Sequence, residues 1–203
     1  MTGQPVAGPP VTGQPVLRDV IEYDLKILFV GYNPSLRSAE LGHHYAGRSN
    51  RFWQLLHRSG LIPVLLRPEQ DMELLRYGYG STNIVHRPTK TAAEITAEEY
   101  RAGRERLRET IKQYRPGIVC YVGIGIYRVF SRRSKVDWGL QAESVIPGVP
   151  DFVAPSSSGL NRMKFANQVK IYRDLKNLLK DLPLNKSRGR IEHGIPQAGP
   201  DRS

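Results

Sequence analysis

The chain has 203 residues, enough for one domain with a full hydrophobic core and too few for two of ordinary size. A formal net charge of +11 and a pI near 9.9 favour a polyanionic partner such as nucleic acid. The single cysteine, Cys120, excludes an internal disulfide and any cysteine-built metal cluster, and no run approaches the roughly 18 apolar residues of a membrane span.

Residues 1–16 carry no charged side chain and contain TGQPV twice, around AGPPV. So little apolar surface cannot offset the entropy of folding, and a flexible Pro/Gly-rich tail is expected. The stretch also lacks the basic start and apolar core of a secretory signal, which points to an intracellular protein. The composition turns polar again after residue 184, so a folded domain is expected over 17–184 and a basic flexible tail over 185–203. Residues 180–203 hold Lys180, Lys186, Arg188, Arg190 and Arg202 against Asp181, Glu192 and Asp201, a net +2; the other +9 lies between residues 17 and 179. The basic character belongs to the folded body.

The apolar run at 25–30 predicts a buried strand, and residues 50–58 predict a short helix closed by Gly60. Thr96 and Glu99 have the spacing of a capping box; Tyr100, Leu107 and Ile111 then share one face of a helix that ends before Pro116. A second buried strand is expected at 118–122, with a helix at 127–132. Residues 143–146 and 151–154 read as a hairpin pair around Pro147-Gly148. A last helix is expected at 164–182, where Val169, Tyr172, Leu175, Leu179 and Leu182 keep helical spacing. Strands alternating with helices predict an α/β fold, a three-layer sandwich with a central, mainly parallel sheet flanked by helices.

In such a sheet ligands bind outside the strand C-termini. The first strand runs into GYNPS at 31–35, and the run 152–154 leads into PSSSGLNR at 155–162. Between them lie His43, His44, Tyr45, Asn50, Arg51, Phe52 and Trp53, a set suited to a planar polar ring. Phe52 and Trp53, adjacent and helical, read as core; Tyr45, in a loop, is the better stacking candidate. GIG at 123–125 lacks the third glycine of a dinucleotide site, since Arg128 stands there, and the histidines show no metal spacing. Neither cofactor nor metal is expected. Arg101, Arg104 and Arg108 read as a solvated helix face, and Arg128, Arg132, Arg133 and Lys135 as phosphate candidates.

Four separated segments, GYNPS (31–35), GHHYAG with NRFW (42–47 and 50–53), GSTNIVHRPT (80–89) and PSSSGLNR (155–162), resemble the mismatch-specific uracil/thymine DNA glycosylases of the uracil-DNA glycosylase superfamily. The resemblance implies a monomeric enzyme of the bacterial cytoplasm that flips a mispaired or damaged base out of double-stranded DNA. It would hydrolyse the N-glycosidic bond and so initiate base excision repair. Asn33 matches the asparagine that positions the attacking water, with Asn83 at a position where some members carry an aspartate. Gly31, Tyr32, Ser35, Tyr45 and Ser156 match base-binding positions, Tyr45 being the stacking aromatic. Ser157, Ser158, Gly159, Leu160, Asn161 and Arg162 match the loop that enters the minor groove and contacts phosphates. Two departures bear on base preference: Asn83 is an amide, and Ser156 replaces an asparagine common in bacterial members. A different lesion such as hypoxanthine, a catalytically silent lesion binder and an enzyme of free nucleosides remain alternatives.

Overall fold

A computed structural model describes residues 17–181; the two expected tails and Leu182 lie outside the described residues. The elements in chain order are β1 (Ile27–Gly31), α1 (Leu36–Leu41), α2 (Phe52–Ser59), a 3₁₀ segment (Pro68–Tyr77), β2 (Tyr79–Asn83), a 3₁₀ turn (Ala92–Glu94), α3 (Ala97–Tyr114), β3 (Ile118–Val122), α4 (Ile124–Ser131), β4 (Gly139–Leu140), β5 (Asp151–Ala154) and α5 (Phe165–Asp181). One five-stranded sheet runs in the order β2-β1-β3-β5-β4. All neighbours are parallel except β4 and β5.

β1, β3 and β5 are buried along their whole length because helices cover both faces of the sheet. Alternation along the strands divides the core. Ile27, Phe29, Cys120 and Phe152 pack with Phe52, Leu55 and Leu56 of α2 and Tyr172 and Leu175 of α5. Leu28, Val30, Val119, Tyr121 and Val153 pack on the other face with Leu107 and Ile111 of α3 and Ile126, Tyr127 and Phe130 of α4. The expected three-layer α/β sandwich is the observed one. Among the described residues no helix is long and apolar enough to cross a membrane.

Two local expectations are corrected, and one strand was not expected. The strand partner of β5 is not 143–146 but β4, with Gly139 opposite Val153 and Leu140 opposite Phe152. The turn at Pro147-Gly148 exists, with Gly148 at φ 78°, yet closes only the isolated pair Ile146 and Val149. Residue 145 is instead tied to β5 through the Asp151 carboxylate, which accepts the Val145 N–H at 2.7 Å. The helix expected at 127–132 begins at Ile124, directly after Gly123 at φ 136°, a backbone conformation that glycine permits. β2 escaped notice because YGSTN, though wholly buried, is mostly small and polar, without the apolar signature of a central strand.

From β1 the chain crosses to β2 at one edge, and from β3 it proceeds toward β5 and the other. β1 and β3 therefore flank a topological switch point, whose crevice lies at their C-terminal ends.

Candidate active site

At that crevice a cavity of about 220 Å³ is lined by Gly31, Tyr32, Asn33, Pro34 and Ser35 from the end of β1, Val122 from β3, Asn83 from β2 and Ser156, Ser157 and Ser158 after β5. Ser38, His44, Tyr45, Asn50, Thr89, Lys90, Thr91 and Ala92 complete the inner wall and mouth, with Leu17. No aspartate or glutamate is among the lining residues.

The Asn33 amide is held in one orientation. Its Nδ2 donates to the Arg87 carbonyl at 2.9 Å and to Thr89 Oγ1 at 2.8 Å. A carbonyl can only accept, and Thr89 Oγ1 spends its own proton on the Thr91 carbonyl at 2.7 Å, so both contacts require the nitrogen. Oδ1 is left as the acceptor available to the cavity. Arg87 is in turn held by Glu99, which receives its Nε and Nη2 at 2.5 and 2.9 Å. The Arg87 guanidinium holds the Glu99 carboxyl down at about 2, and the same carboxylate closes the predicted capping box with Thr96.

Asn83 ends β2 with its side chain against Gly31. A Cβ on residue 31 would lie 2.5 Å from Asn83 Oδ1, so glycine is the residue that admits the amide. Past the strand ends the ladder continues, Ile84 N–H to the Gly31 carbonyl and Val85 N–H to the Tyr32 carbonyl, both at 2.9 Å. Arg106 of α3 caps the carbonyls of Asn83 and Ile84 at 2.5 and 3.1 Å. The helix that positions Asn33 through Arg87 thus also positions Asn83.

Tyr45 adopts φ 54° and stacks on Phe52, with ring centroids 3.6 Å apart and planes 15° from parallel. Phe52 and Trp53 are buried in the core, as expected, while the other face of Tyr45 is the one available to the cavity it lines. The preceding residue, His44, is buried: its Nε2 donates to the Arg18 carbonyl at 3.0 Å, and its Nδ1 accepts from Ser81 Oγ at 2.9 Å. Burial pushes this imidazole below its ordinary value, and both nitrogens are occupied. His44 is thereby fixed as a neutral ring between the Arg18 carbonyl and Ser81, directly before Tyr45. Burial likewise pushes the Tyr32 phenol up to about 12. Ser35 caps α1, its Oγ accepting the Ser38 N–H at 3.1 Å.

The loop after β5 divides its residues between two tasks. Ser157 is 2% exposed and faces the cavity, whereas Leu160 is 88% exposed and Gly159 and Arg162 are also exposed. Arg51 holds this loop, donating from Nη2 to the carbonyls of Ser158 and Asn161 at 3.0 and 2.8 Å and from its backbone N–H to the Ser157 carbonyl at 2.8 Å. Asn161 turns inward, Nδ2 donating to the Ser156 carbonyl at 2.7 Å. Gly159 passes so close to Ser49 that a Cβ would fall 2.8 Å from its carbonyl oxygen.

The basic clusters resolve differently. Arg133 donates to the Tyr127 hydroxyl and the Glu143 carbonyl, and Tyr127 donates to Asp151 at the start of β5, placing Arg133 at the sheet edge opposite the cavity. Lys90 is the exposed cation that lines the cavity, and the exposed Arg162 lies in the loop after β5 beside it. Thr89 and Lys90 were not singled out from the sequence, and Arg51, placed there in the set for a planar ring, is instead the clamp of the loop after β5. Thr89 lies within the GSTNIVHRPT segment, and only the fold pairs its hydroxyl with Asn33.

Fold and site together define an α/β protein with a base-sized, carboxylate-free cavity at its switch point and an exposed leucine beside it. The family model for the uracil DNA glycosylase superfamily matches residues 18–180, and the chain belongs to that superfamily. The fold is also similar to a solution NMR structure from Methanosarcina acetivorans named as a "putative Uracil DNA glycosylase", with a TM-score of 0.56, 20% identity, and coverage of 82% of this chain and 98% of that one.

Proposed function

We propose that the protein is a monofunctional DNA glycosylase that hydrolyses the N-glycosidic bond of uracil mispaired with guanine in double-stranded DNA, on a base flipped into the cavity. It acts as a monomer and initiates base excision repair. The observation that carries this reading is the Asn33 amide, held through its nitrogen by the Arg87 carbonyl and Thr89 Oγ1, which leaves Oδ1 as the acceptor that would orient the attacking water. A carboxamide orients water but takes no proton, so it contributes position and not base strength.

Most of the acceleration then comes from the leaving group. As the bond breaks, its electron pair departs with the base, and the oriented water adds to the cationic sugar carbon and gives up its proton to the departing base anion or to solvent. Donors held in a dry cavity stabilise that anion at little reorganisation cost. The Asn83 amide and the backbone N–H groups of the turn at 31–35 are the candidate donors. Tyr45, braced by Phe52, supplies the stacking face. Leu160 fills the gap left in the duplex, a role in which apolar side chains offset the cost of unstacking. Ser158, Gly159 and Arg162 lie beside it at the phosphates.

The test is incubation with labelled duplexes carrying uracil, thymine, hypoxanthine or a normal base opposite guanine, followed by alkali. Cleavage at uracil alone, or at uracil above the others, is expected. Cleavage confined to hypoxanthine would replace the base assignment, and tight lesion binding with no cleavage on any duplex would make the protein a silent binder. Excision from free deoxyuridine as fast as from the duplex would instead indicate a nucleoside enzyme.

A further inference from the structure

A second cavity, about 400 Å³, opens on the same sheet edge between the N-terminal end of α4 and the loop after β5. Its walls are Tyr32, Gly123–Gly125, Trp138, Ser156, Ser158, Leu160 and Asn161, none of them charged. Trp138 reaches this edge because β4 is the antiparallel strand. With Gly139 opposite Val153, the residue before Gly139 stands level with Ala154, where the parallel strands end. Trp138 is 39% exposed and Leu160 is exposed as well, so two large apolar side chains of the wall face solvent.

We propose that this cavity is a second DNA subsite that takes the nucleotide adjoining the flipped one on the same strand, with Trp138 packing against its base or sugar. The inference rests on the glycosylase reading of the neighbouring cavity. Continuity argues for this occupant: Tyr32, Ser156 and Ser158 wall both cavities, so a strand whose base fills one must pass the other within a nucleotide. The uncharged lining suits a base or sugar face and not a phosphate, and the volume exceeds that of the first cavity. Aromatic stacking of this kind tolerates any base, so the subsite adds affinity without adding sequence preference.

The chain has two tryptophans, and Trp53 is 5% exposed in the core, so Trp53→Phe leaves Trp138 as the sole tryptophan, excited selectively over the tyrosines at the red edge of the absorption band. If that variant folds poorly, the same signal is the difference between the wild type and Trp138→Phe. Titration with a duplex holding a tetrahydrofuran abasic analogue opposite guanine should quench Trp138 emission and shield it from acrylamide, in step with binding read by anisotropy. Trp138→Ala should raise the half-saturating duplex concentration about tenfold and leave the single-turnover rate at saturation unchanged, with Trp138→Phe restoring most of the affinity. 2-Aminopurine beside the lesion on the same strand should report the loss in Trp138→Ala. Binding with unchanged emission and shielding, or an effect seen only with 2-aminopurine on the opposite strand, would overturn the subsite while leaving the glycosylase intact. Absence of any duplex binding would overturn the glycosylase reading and the subsite with it.

Discussion

The turn after β1 and the loop after β5 meet at one cavity but are built on different terms. Asn33 is reached through a chain of contacts, Thr96 to Glu99 to Arg87 to its own amide, anchored in an 18-residue helix that also caps the end of β2. The loop at 155–162 has an exposed tip, and the side chains that hold it are chiefly Arg51 and its own Asn161. On the proposed reading, the half that performs chemistry is fixed from behind by a helix, where a small displacement would cost rate. The half that enters DNA is fixed at its base and exposed at its tip, where binding energy would be collected.

Substitutions should separate the two halves. The largest effect short of removing the catalytic amide is expected from Leu160→Ala. Losing a leucine's burial in the duplex should lower excision about 10- to 100-fold at subsaturating DNA, seen as a kcat/KM loss, with the melting temperature unchanged. Arg51→Ala should act in the same direction and also lower stability by about 1.5–3 kcal/mol, because its charged hydrogen bonds to the loop are lost; denaturant melts read this. Thr89→Val should spare DNA affinity and reduce the single-turnover rate about tenfold, since the Asn33 amide loses one of its two restraints. Equal losses of affinity and rate in Thr89→Val would erase the distinction between the halves.

The smallest effect is on stability against pH. Burial holds His44 below its ordinary 6.5, opposed by the Arg18 carbonyl, Asp71 and Asp19. The unfolded chain therefore binds a proton that the folded chain refuses. This contribution to stability is complete above pH 6.5 and is lost as pH falls below it, by at most about 1.4 kcal/mol per pH unit. His44→Gln should flatten that part of the slope in urea melts between pH 6.5 and 5.

Much of this arrangement was legible in the sequence where a local rule carried it. The apolar runs of β1 and β3, the capping box at Thr96 and Glu99, and the core assignment of Phe52 and Trp53 follow from periodicity and caps. What could not be read depended on distant partners. β2 is small and polar because Gly80 lies against Leu25 and the Val20 carbonyl, Ser81 bonds His44 and Asn83 lines the cavity, so hydrophobicity does not announce it. The restraint on Asn33 joins residues more than fifty positions apart, and the clamp of Arg51 on Ser158 and Asn161 joins residues more than a hundred apart. The wrong hairpin partner for β5 arose from a true local turn at Gly148 that closes a loop and not a ladder.

The measurement that tests the account most directly is single-turnover excision from a G·U duplex by the wild type and Asn33→Ala, with duplex affinity measured alongside. The account predicts that Asn33→Ala lowers the rate about 10³-fold while the affinity stays within a few-fold. Excision by Asn33→Ala at the wild-type rate would show that the water is positioned by another group and would contradict the mechanism assigned to this site.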